Sequence, residues 1–387
     1  MSAPSGFVVA TLLRSPTDAH ARALDARGAL RLLLLGTRRG VAGVAAERTK
    51  LNPIFGLLNY AAANVFSPYR AESLRFAMLP AYDRWARRWL RPGDHVISSF
   101  GYANECFRQA RRHGGKAIVE AGNSHPQNFR DIMAEEHRRW HCATPPMPPH
   151  WYRRSVRMMD ETDYVIAPSH YVADSFLARG FSEKQVLTVP YPVDLSCFSP
   201  PREARPKERP LTIISTGMLS LRKGTPYMLE AFRAVHQRHP SARFVLIRSI
   251  HDSVVPVLKR FDDVPITWLE PCGHQELAEH LRAADIFVLP SLEEGMVRTA
   301  LEAMACGLPV ILTPNTGAND FVQSDQSGEV VPIRDVRAIA DAILKWAERI
   351  MASDLPPRRL IDVETLSFDH FARHLLRQLS AARLLPA

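Results

Sequence analysis

The chain has 387 residues, of which 46% are apolar and 23% charged, and its formal net charge is +9. This length exceeds one ordinary hydrophobic core, so two domains are expected, and the composition excludes a disordered or fibrous protein. The five cysteines lack paired spacing, which excludes a disulfide framework or a zinc ribbon and favours a reducing compartment. The first twenty residues lack the pattern of a secretory signal, and the strongest apolar run, Leu32 to Leu35, is too short to span a bilayer.

Short apolar strands alternate with helical segments through the first half of the chain. Strands are predicted at 7–13, 31–36, 95–99, 116–120, 164–168 and 185–190. Helices are predicted from about Thr17 and at 102–112, 128–141 and 169–179. Continuous apolar strands that alternate with helices are typical of a parallel sheet covered on both faces.

A proline-rich, charged stretch at 190–210 is interpreted as a linker to a second series of the same kind. In this series, strands are predicted at 211–216, 243–249, 266–271, 285–291 and 309–314. Helices are predicted at 224–240, 274–284, 298–306, 335–350 and 368–383. We therefore expect an α/β protein with domains at 1–192 and 193–365, and a C-terminal helix in 366–387 that packs back on the first domain. Because ligands of such sheets bind beyond the carboxyl ends of the strands, the chemistry is expected in the loops that follow them.

The excess positive charge is confined to the N-terminal half. Residues 1–193 hold 26 Lys and Arg against 16 Asp and Glu, whereas the remainder holds 23 against 24. Basic residues cluster beside aromatic ones at 82–92, 137–141 and 151–157. Such stretches suit an anionic membrane surface or an anionic substrate, and a solvated helix face is the alternative for each single cluster. No nucleic-acid partner is expected.

The stretch EEGMVRTALEAMACGLPV at 293–310 carries two carboxylates, Glu294 and Glu302, eight positions apart. A predicted strand runs into Glu294, Gly295 permits a sharp turn, and a helix is expected to begin near Val297 or Arg298. The N-terminus of that helix presents unpaired N–H groups that suit a phosphate. Glu302 has almost only apolar neighbours, which argues against the alternative of a surface position. Two carboxylates so placed can accept hydrogen bonds from hydroxyls on two parts of one ligand.

The stretch STGMLSLRKGTP at 215–226 is a second candidate loop between a strand and a helix. It carries Arg222 and Lys223 just before the helix that begins at Gly224. Two cations can neutralise a diphosphate leaving group without a metal ion. The alternative is a pair of solvated loop charges.

These residues resemble a known family. The run PSLEEGMVRTALEAMACGLPVILTPNTG at 290–317 is similar to the signature of the family-4 retaining glycosyltransferases, which have a Glu-x7-Glu motif and an alanine-rich helix ending in Cys-Gly-x-Pro-Val. Other segments resemble the family in the same order, namely 167–176, 190–200, 222–224 and 283–291. The resemblance implies the GT-B fold, in which two Rossmann-like parallel-sheet domains face a cleft.

The resemblance implies roles for particular residues. Glu302 would hold the ribose hydroxyls of a nucleotide, Glu294 would contact the donor sugar, and Lys223 with Arg222 would bind the diphosphate. His125, in EAGNSHPQ after a strand of the first domain, would be the cleft histidine, with an ordinary loop histidine as the alternative. The catalytic candidates are thus His125, Lys223 and Glu294. The remaining donor-binding candidates are Gly217, Gly295, Met296, Val297 and Arg298.

The sequence departs from the family pattern in three places. Met218 stands where the family commonly has an arginine, and Arg222 is the candidate replacement. Gly295-Met296-Val297 replaces the usual Gly-Phe-Gly, which reshapes the expected sugar pocket. The stretch 12–20 replaces the Gly-Gly acceptor loop. Base, sugar and acceptor are therefore not specified by the resemblance.

The predicted function is retaining, metal-independent transfer of a sugar from a nucleotide diphosphate sugar to a glycan or lipid-linked acceptor, in cell-envelope or exopolysaccharide assembly. The expected location is cytoplasmic, with peripheral binding to the inner face of the membrane, and no cofactor is expected. Same-face attack is favoured over double displacement, because the resemblance assigns no carboxylate nucleophile.

Three alternatives stay open. The first is a non-catalytic sugar-nucleotide-binding scaffold of the same fold. The second is a nicotinamide-dependent oxidoreductase, which the absence of Gly-x-Gly-x-x-Gly after any strand disfavours. The third is a zinc site at His137 and His141, four positions apart. No third ligand is suggested there, so 135–141 is interpreted as a basic surface helix.

Overall fold

The computed structural model describes residues 6–13, 15–202, 209–352 and 359–385. It divides into two compact units. The first comprises Met1–Arg130, Pro145–Pro192 and Phe368–Ala387, and the second comprises Asp131–Thr144 and Val193–Ser367. The division departs from a simple boundary near residue 192, because 131–144 belongs to the second unit. Part of the predicted linker, 203–208, lies outside the described residues.

The first unit contains a parallel sheet of seven strands. These are β1 (Phe7–Thr11), β2 (Leu30–Leu35), β3 (Thr49–Leu51), β4 (His95–Ser99), β5 (Ala117–Glu120), β6 (Tyr164–Ala167) and β7 (Val186–Thr188). Their spatial order is β3-β2-β1-β4-β5-β6-β7. Every residue of β1 is buried, as expected for a central strand with apolar clusters on both faces of the sheet.

Nine helices accompany this sheet within the described residues. They are α1 (Thr17–Ala26), α2 (Pro53–Val65), α3 (Pro68–Ala77), α4 (Leu79–Ala86), α5 (Asn104–Arg112), α6 (Pro126–Arg139), α7 (Pro149–Met159), α8 (His170–Leu177) and, at the end of the chain, α14 (Phe368–Ala381). From Asp131 onward, α6 belongs to the second unit. Helix α14 buries Phe371, Leu375 and Leu379 in the same apolar cluster as α1. Short 3-10 helices lie at Ala46–Arg48 and Arg87–Trp89.

The second unit contains a parallel sheet of six strands. These are β8 (Thr212–Leu219), β9 (Arg243–Ile250), β10 (Ile266–Leu269), β11 (Ile286–Val288), β12 (Val310–Leu312) and β13 (Gly328–Val330). The helices are α9 (Thr225–Arg238), α10 (Val255–Leu258), α11 (His274–Ala283), α12 (Arg298–Ala305) and α13 (Val336–Ala352). Short 3-10 helices lie at Lys259–Phe261, Gly317–Phe321 and Val363–Leu366.

The strand order of this second sheet, β10-β9-β8-β11-β12-β13, has its reversal between β8 and β11. In open α/β sheets, ligands bind beyond the carboxyl ends of the strands at such a reversal. The two loops that follow β8 and β11 are the loops that carry the predicted donor-binding residues. The fold therefore puts both loops at the one place in this sheet where a ligand is expected.

Gly224 lets these two loops pack together. It has φ +66°, and a Cβ atom there would lie 2.0 Å from the carbonyl oxygen of Pro290. Next to it, the N–H of Leu292 donates to the carbonyl oxygen of Arg222 at 2.8 Å. Only glycine combines the left-handed backbone with this close approach.

Replacement of Gly224 by alanine is therefore expected to destabilise the protein by about 3 kcal/mol, from backbone strain and overpacking together. Gly114→Ala is the matched control, since Gly114 has φ +79° but nothing within 4 Å of the added Cβ. It should cost only about 1 kcal/mol. Urea unfolding of both variants measures the difference, and equal losses would show that the contact with Pro290 is unimportant.

Candidate functional site

The loop between β8 and α9 holds two cations in fixed positions. The N–H of Ser220 donates to Thr225 Oγ1 at 3.1 Å, and the N–H of Lys223 donates to Ser220 Oγ at 3.2 Å. These two hydrogen bonds fix the backbone of the loop from which the side chains of Arg222 and Lys223 project. Lys223 is largely buried, with a side chain 15% exposed, and Arg222 is 25% exposed. Arg222 and Lys223 are therefore not the pair of solvated loop charges that was the alternative.

Both cations bind the same oxygen of Glu294. The Oε2 atom of Glu294 lies 2.6 Å from Arg222 Nη1 and 2.6 Å from Lys223 Nζ. Burial would raise the pKa of Glu294, but Arg222 and Lys223 more than offset it and hold that pKa below its ordinary value. Burial lowers the pKa of Lys223, an effect that Glu294 opposes. Glu294 is thus ionised at neutral pH. In the free protein it is the anion bound to the two cations, and a phosphate of a ligand could replace it there.

A second glutamate, Glu293, lies beside this cluster and was not among the predicted site residues. Glu293 has no exposed side-chain surface, and its Oε2 lies 3.8 Å from Arg222 Nη1. Its carbonyl oxygen accepts a hydrogen bond from the same nitrogen at 3.0 Å. The doublet of glutamates at 293–294 was the available signal, because two adjacent carboxylates after a buried strand require partners.

The N-terminus of α12 has no side-chain cap from its own N-cap residue. The helix begins at Arg298, as predicted, and Val297 at the N-cap is extended and makes no side-chain cap hydrogen bond. Met296 and Val297 are buried, whereas Arg298 is exposed. Uncapped first-turn N–H groups together with the helix dipole can bind an anion.

Glu302 is the clearest candidate for a ligand contact within the second unit. It lies one turn into α12 and is 5% exposed, and its Oε2 is buried without a hydrogen-bond partner among the described residues. Burial raises its pKa, and His274 and Arg298 oppose that rise. A buried carboxylate oxygen without a donor is costly in the free protein. The two adjacent hydroxyls of a ribose would supply the missing donors.

Two hydroxyls at the carboxyl ends of the same strands share this property. Thr216 Oγ1 and Ser291 Oγ are buried and have no partner within the described part of the chain. Thr216 lies near the end of β8, and Ser291 follows β11. Neither residue was among the predicted site residues, although a hydroxyl within or directly after a buried strand was a usable signal.

Gly217 lies within β8, which extends to Leu219 and not only to the predicted end at 216. It has φ +111°, and a Cβ atom there would meet nothing within 4 Å. Met218, which replaces the family arginine, is 37% exposed. The strand end thus offers open space above the backbone, which would let a ligand approach it closely.

His125 belongs to the first unit, unlike the other candidates. It lies between β5 and α6 and is 4% exposed, with its ring edge-to-face against Phe176 at 5.2 Å between centroids. The N–H of Gln127 donates to Nδ1 at 3.3 Å, which assigns the ring proton to Nε2. Burial, aided by Arg179, lowers its pKa to about 4. His125 is therefore neutral near pH 7 and can donate a hydrogen bond from Nε2.

Glu120, at the carboxyl end of β5, is a buried acid near His125 in the sequence. It is 1% exposed and accepts hydrogen bonds from Ser99 Oγ, at 2.8 Å, and from the hydroxyl of Tyr191. Burial raises its pKa to about 7, although the bond from Ser99 acts in the opposite direction. Its protonation is therefore expected to change near neutral pH.

Glu120 is expected to make stability depend on pH. Because its folded-state pKa is about 7 and its ordinary value is 4.5, its contribution is complete below pH 4.5 and is lost as pH rises through about 7. The difference amounts to about 3 kcal/mol. Glu120→Gln should remove this part of the pH dependence, as measured by thermal unfolding between pH 5 and 8. An unchanged profile in the variant would assign the dependence to another group.

Most arginines of the basic clusters are exposed, but each cluster also contains buried side chains. Tyr82 and Asp83 of 82–92 are fully buried, and Asp83 pairs with Arg154 of 151–157. In the second unit, Glu136 is fully buried and accepts a hydrogen bond from Tyr227 at 2.8 Å. Within 135–141, Arg138, Arg139 and His141 are exposed, so this segment presents its basic side chains to solvent while Glu136 and His137 face the interior.

The alternative of a zinc site at His137 and His141 gains no support from the described residues. His137 is 6% exposed, and its Nδ1 lies 2.6 Å from the carbonyl oxygen of Thr144. Among the described residues, one group of three potential ligands has its ligand atoms within 4.8 Å of one another, namely Cys272, Glu276 and His280. This group includes neither His137 nor His141.

Part of the chain is similar in sequence to known glycosyltransferases. Residues 210–349 match the family model of glycosyl transferases group 1. A D-inositol 3-phosphate glycosyltransferase from Saccharomonospora viridis is 31% identical over 216 residues, which is 50% of this chain and 49% of that protein. An amylovoran biosynthesis glycosyltransferase from Erwinia amylovora, AmsK, is 29% identical over 153 residues, 36% of this chain and 37% of that protein. The chain thus spans about half the length, or less, of these curated relatives.

The fold is similar to that of solved glycosyltransferases. Sucrose-phosphate synthase from Thermosynechococcus elongatus superposes with a TM-score of 0.66 at 19% identity, over 98% of this chain and 100% of that chain. The predicted fold class, two Rossmann-like parallel-sheet domains of the GT-B type, is confirmed. The narrower assignment to family 4 stays a prediction. Residues 210–349 are thus similar to the glycosyl transferases group 1, and both sheets together have the fold of the solved GT-B structures.

Proposed function

We propose that the protein transfers a sugar from a nucleotide diphosphate sugar to a glycan or lipid-linked acceptor, with retention of configuration and without a metal ion. The main evidence is the cluster of Arg222, Lys223 and Glu294, which lies where the strand order of the second sheet reverses. Two partly buried cations that share one carboxylate oxygen form a preorganised site for the charge of a departing diphosphate.

Donor binding follows from the same two loops. The phosphates would lie between the two cations and the uncapped amides that begin α12. The ribose would lie against Glu302, whose buried Oε2 has no partner among the described residues. The negative charge of the phosphates would thereby be balanced by the cations, and the hydroxyls of the ribose would donate hydrogen bonds to Glu302.

The reaction would proceed by same-face attack. The bond between the anomeric carbon and the diphosphate oxygen breaks, and the electron pair leaves with the diphosphate toward Arg222 and Lys223. The acceptor hydroxyl forms the new bond on the same face, and its proton passes to the departing phosphate oxygen. Double displacement would need a carboxylate nucleophile, and the proposal assigns none, since Glu294 is the candidate for a hydrogen bond to the donor sugar. Neutral His125 would donate a hydrogen bond to the substrate and would not supply a positive charge.

Retention and metal independence are tested on the product. Proton NMR of the glycosylated acceptor should show the anomer of the donor, and EDTA should leave the rate unchanged. An inverted anomer, or activity lost in EDTA and restored by a divalent ion, would overturn the mechanism. Nucleotide binding without turnover across a broad acceptor panel would favour the scaffold alternative.

Peripheral binding to the inner face of a membrane is part of the proposal. Among the described residues, no helix combines the length and apolarity needed to cross a bilayer. Helix α2, however, exposes large apolar side chains to solvent, with Ile54 61%, Leu58 51% and Tyr60 71% exposed. An exposed apolar helix face in a positively charged half suits an anionic bilayer surface.

Replacement of Ile54 and Leu58 by serine is expected to weaken binding to anionic vesicles by at least about tenfold, since each buried aliphatic side chain contributes roughly 1.5–3 kcal/mol. Vesicle co-sedimentation measures this effect. Val255→Ser is a control in the second unit, where the side chain is 48% exposed. Wild-type protein that fails to bind anionic vesicles at low salt would remove the membrane from the proposal.

A further inference from the structure

A groove lined by arginines lies within the first unit, whereas the proposed donor site lies in the second. It is formed by the amino-terminal ends of β1 and β4, the end of α1, and the outer face of α14, and its volume is about 1480 Å³. It therefore lies at the edge of the first sheet opposite to the carboxyl ends of the strands. The arginines that line it are Arg27, Arg31, Arg48, Arg373, Arg377 and Arg383.

The charge of this groove is not balanced by the described residues. No aspartate or glutamate lines it, and two histidines, His95 and His370, do. Of the six arginines, Arg31 pairs with Asp94 at 2.5 Å and Arg48 pairs with Asp25 at 2.7 Å. The other four have no ion-pair partner in the part of the chain that the structure describes, and they are Arg27, Arg373, Arg377 and Arg383.

The fold holds these four cations on neighbouring elements. Arg373 and Arg377 are four residues apart and so lie on one face of α14, while Phe371, Leu375 and Leu379 anchor the opposite face in the core. Arg383 follows the end of α14 in a left-handed conformation, φ +58°, which is uncommon for a residue other than glycine. Arg27 is the C-cap of α1.

Helix dipoles account for only part of this charge. Arg27 and Arg383 lie near the carboxyl ends of α1 and α14, where cations are favoured. Each helix end supplies about half a negative charge, so the two together offset about one cation of the four. A net positive charge remains on the groove, and a bound anion would lower the repulsion among these arginines.

We propose that this groove binds a polyanionic ligand with clustered phosphate groups. The planar guanidinium group of arginine matches phosphate oxygens in bidentate fashion, and arginine is the residue favoured for phosphate recognition. The volume exceeds the roughly 300–1,000 Å³ of ordinary small-molecule pockets, so a ligand with several phosphate groups fits better than a single phosphate ion. Such phosphates could belong to a soluble polyphosphorylated molecule or to phospholipid headgroups.

The proposal is tested by calorimetric titration of the full chain with tripolyphosphate at low salt. Wild-type protein should bind, and the double variant Arg373→Gln/Arg377→Gln should raise Kd by at least about tenfold, because charge-assisted hydrogen bonds are lost. The matched control is Arg153→Gln/Arg157→Gln, which removes two exposed arginines at the same spacing from α7 of the same unit. Its Kd should stay close to that of the wild type.

Absence of binding by the wild type would overturn the proposal. Equal losses of affinity in both double variants would also overturn it, since general attraction of an anion to a basic protein would then explain the binding. Arg383→Gln, which lies beyond α14, is a second variant that leaves the helix intact and should also weaken binding. The source of the phosphates is separated with vesicles of phosphatidylcholine, with and without phosphatidylglycerol. Loss of vesicle binding in the α14 variant assigns the groove to headgroups, and retained vesicle binding assigns it to a soluble ligand.

Discussion

Replacing Lys223 with alanine is expected to lower kcat by about 10²–10³-fold, the cost of losing one preorganised charge at a developing anion. Lys223 Nζ and Arg222 Nη1 share Glu294 Oε2, so the variant retains a single cation for the leaving diphosphate. The loss should fall on kcat more than on KM, because the charge that Lys223 stabilises is greatest as the bond breaks. Release of nucleoside diphosphate under saturating donor measures it.

Lys259→Ala is the control for this prediction. Lys259 lies in the same unit and is exposed, so the variant removes an equal charge without touching the loop. Both variants should keep a circular dichroism spectrum like that of the wild type. A Lys223→Ala enzyme with wild-type kcat would remove Lys223 from the catalytic candidates.

Replacing Glu302 with glutamine is expected to have opposite effects on stability and on donor binding. Glu302 is 5% exposed, and its Oε2 has no hydrogen-bond partner among the described residues. Removing this buried charge should stabilise the free protein by about 1 kcal/mol or more. The amide cannot accept hydrogen bonds at both of its end atoms, so the affinity for a nucleoside diphosphate should fall at least about tenfold.

The stability effect of Glu302→Gln should depend on pH. Burial raises the folded-state pKa of Glu302, so its contribution to stability is complete below the ordinary value and is lost as pH rises through the folded-state pKa. The variant lacks this loss, and its advantage in Tm should therefore grow with pH. Glu279→Gln, an exposed position on α11, should change neither Tm nor affinity. A Glu302→Gln protein that binds nucleotide like the wild type would contradict the role of Glu302.

Much of the fold was predictable, because buried parallel strands read as apolar runs. Strand β4 and helix α11, for example, lie within one residue of their predicted bounds. Helices α2, α3, α4 and α7 were missed. Helix α2 exposes most of its apolar residues, so it lacks the one-sided pattern by which a helix is identified. Strand β13 has three residues and carries almost no periodic signal.

The donor loops were predictable in their residues but not in their contacts. Arg222, Lys223, Glu294 and Glu302 stand directly after strands or one turn into a helix, where sequence position alone indicates a site. One oxygen of Glu294 contacts both cations only because two loops about seventy residues apart along the chain pack together. Their packing rests on the approach of Gly224 to Pro290, which no local pattern reports.

The basic clusters show the limit of charge patterns. A run of arginines indicates solvent exposure unless acidic partners lie nearby in space, and such partners are distant in sequence. Asp83 and Arg154, 71 positions apart, form a largely buried pair. The arginine groove arises in the same way, since its four unpaired cations come from both ends of the chain.

The most direct test is an assay of nucleotide release from sugar nucleotides, run in EDTA with a broad panel of acceptors. The donors are UDP-, GDP- and ADP-sugars, which release a nucleoside diphosphate, and CMP-sugars, which release the monophosphate. The wild type should release nucleotide from one donor class, and Lys223→Ala and Glu302→Gln should each slow that release sharply while remaining folded. Wild-type rates in both variants would contradict the assignment of the two loops as the donor site.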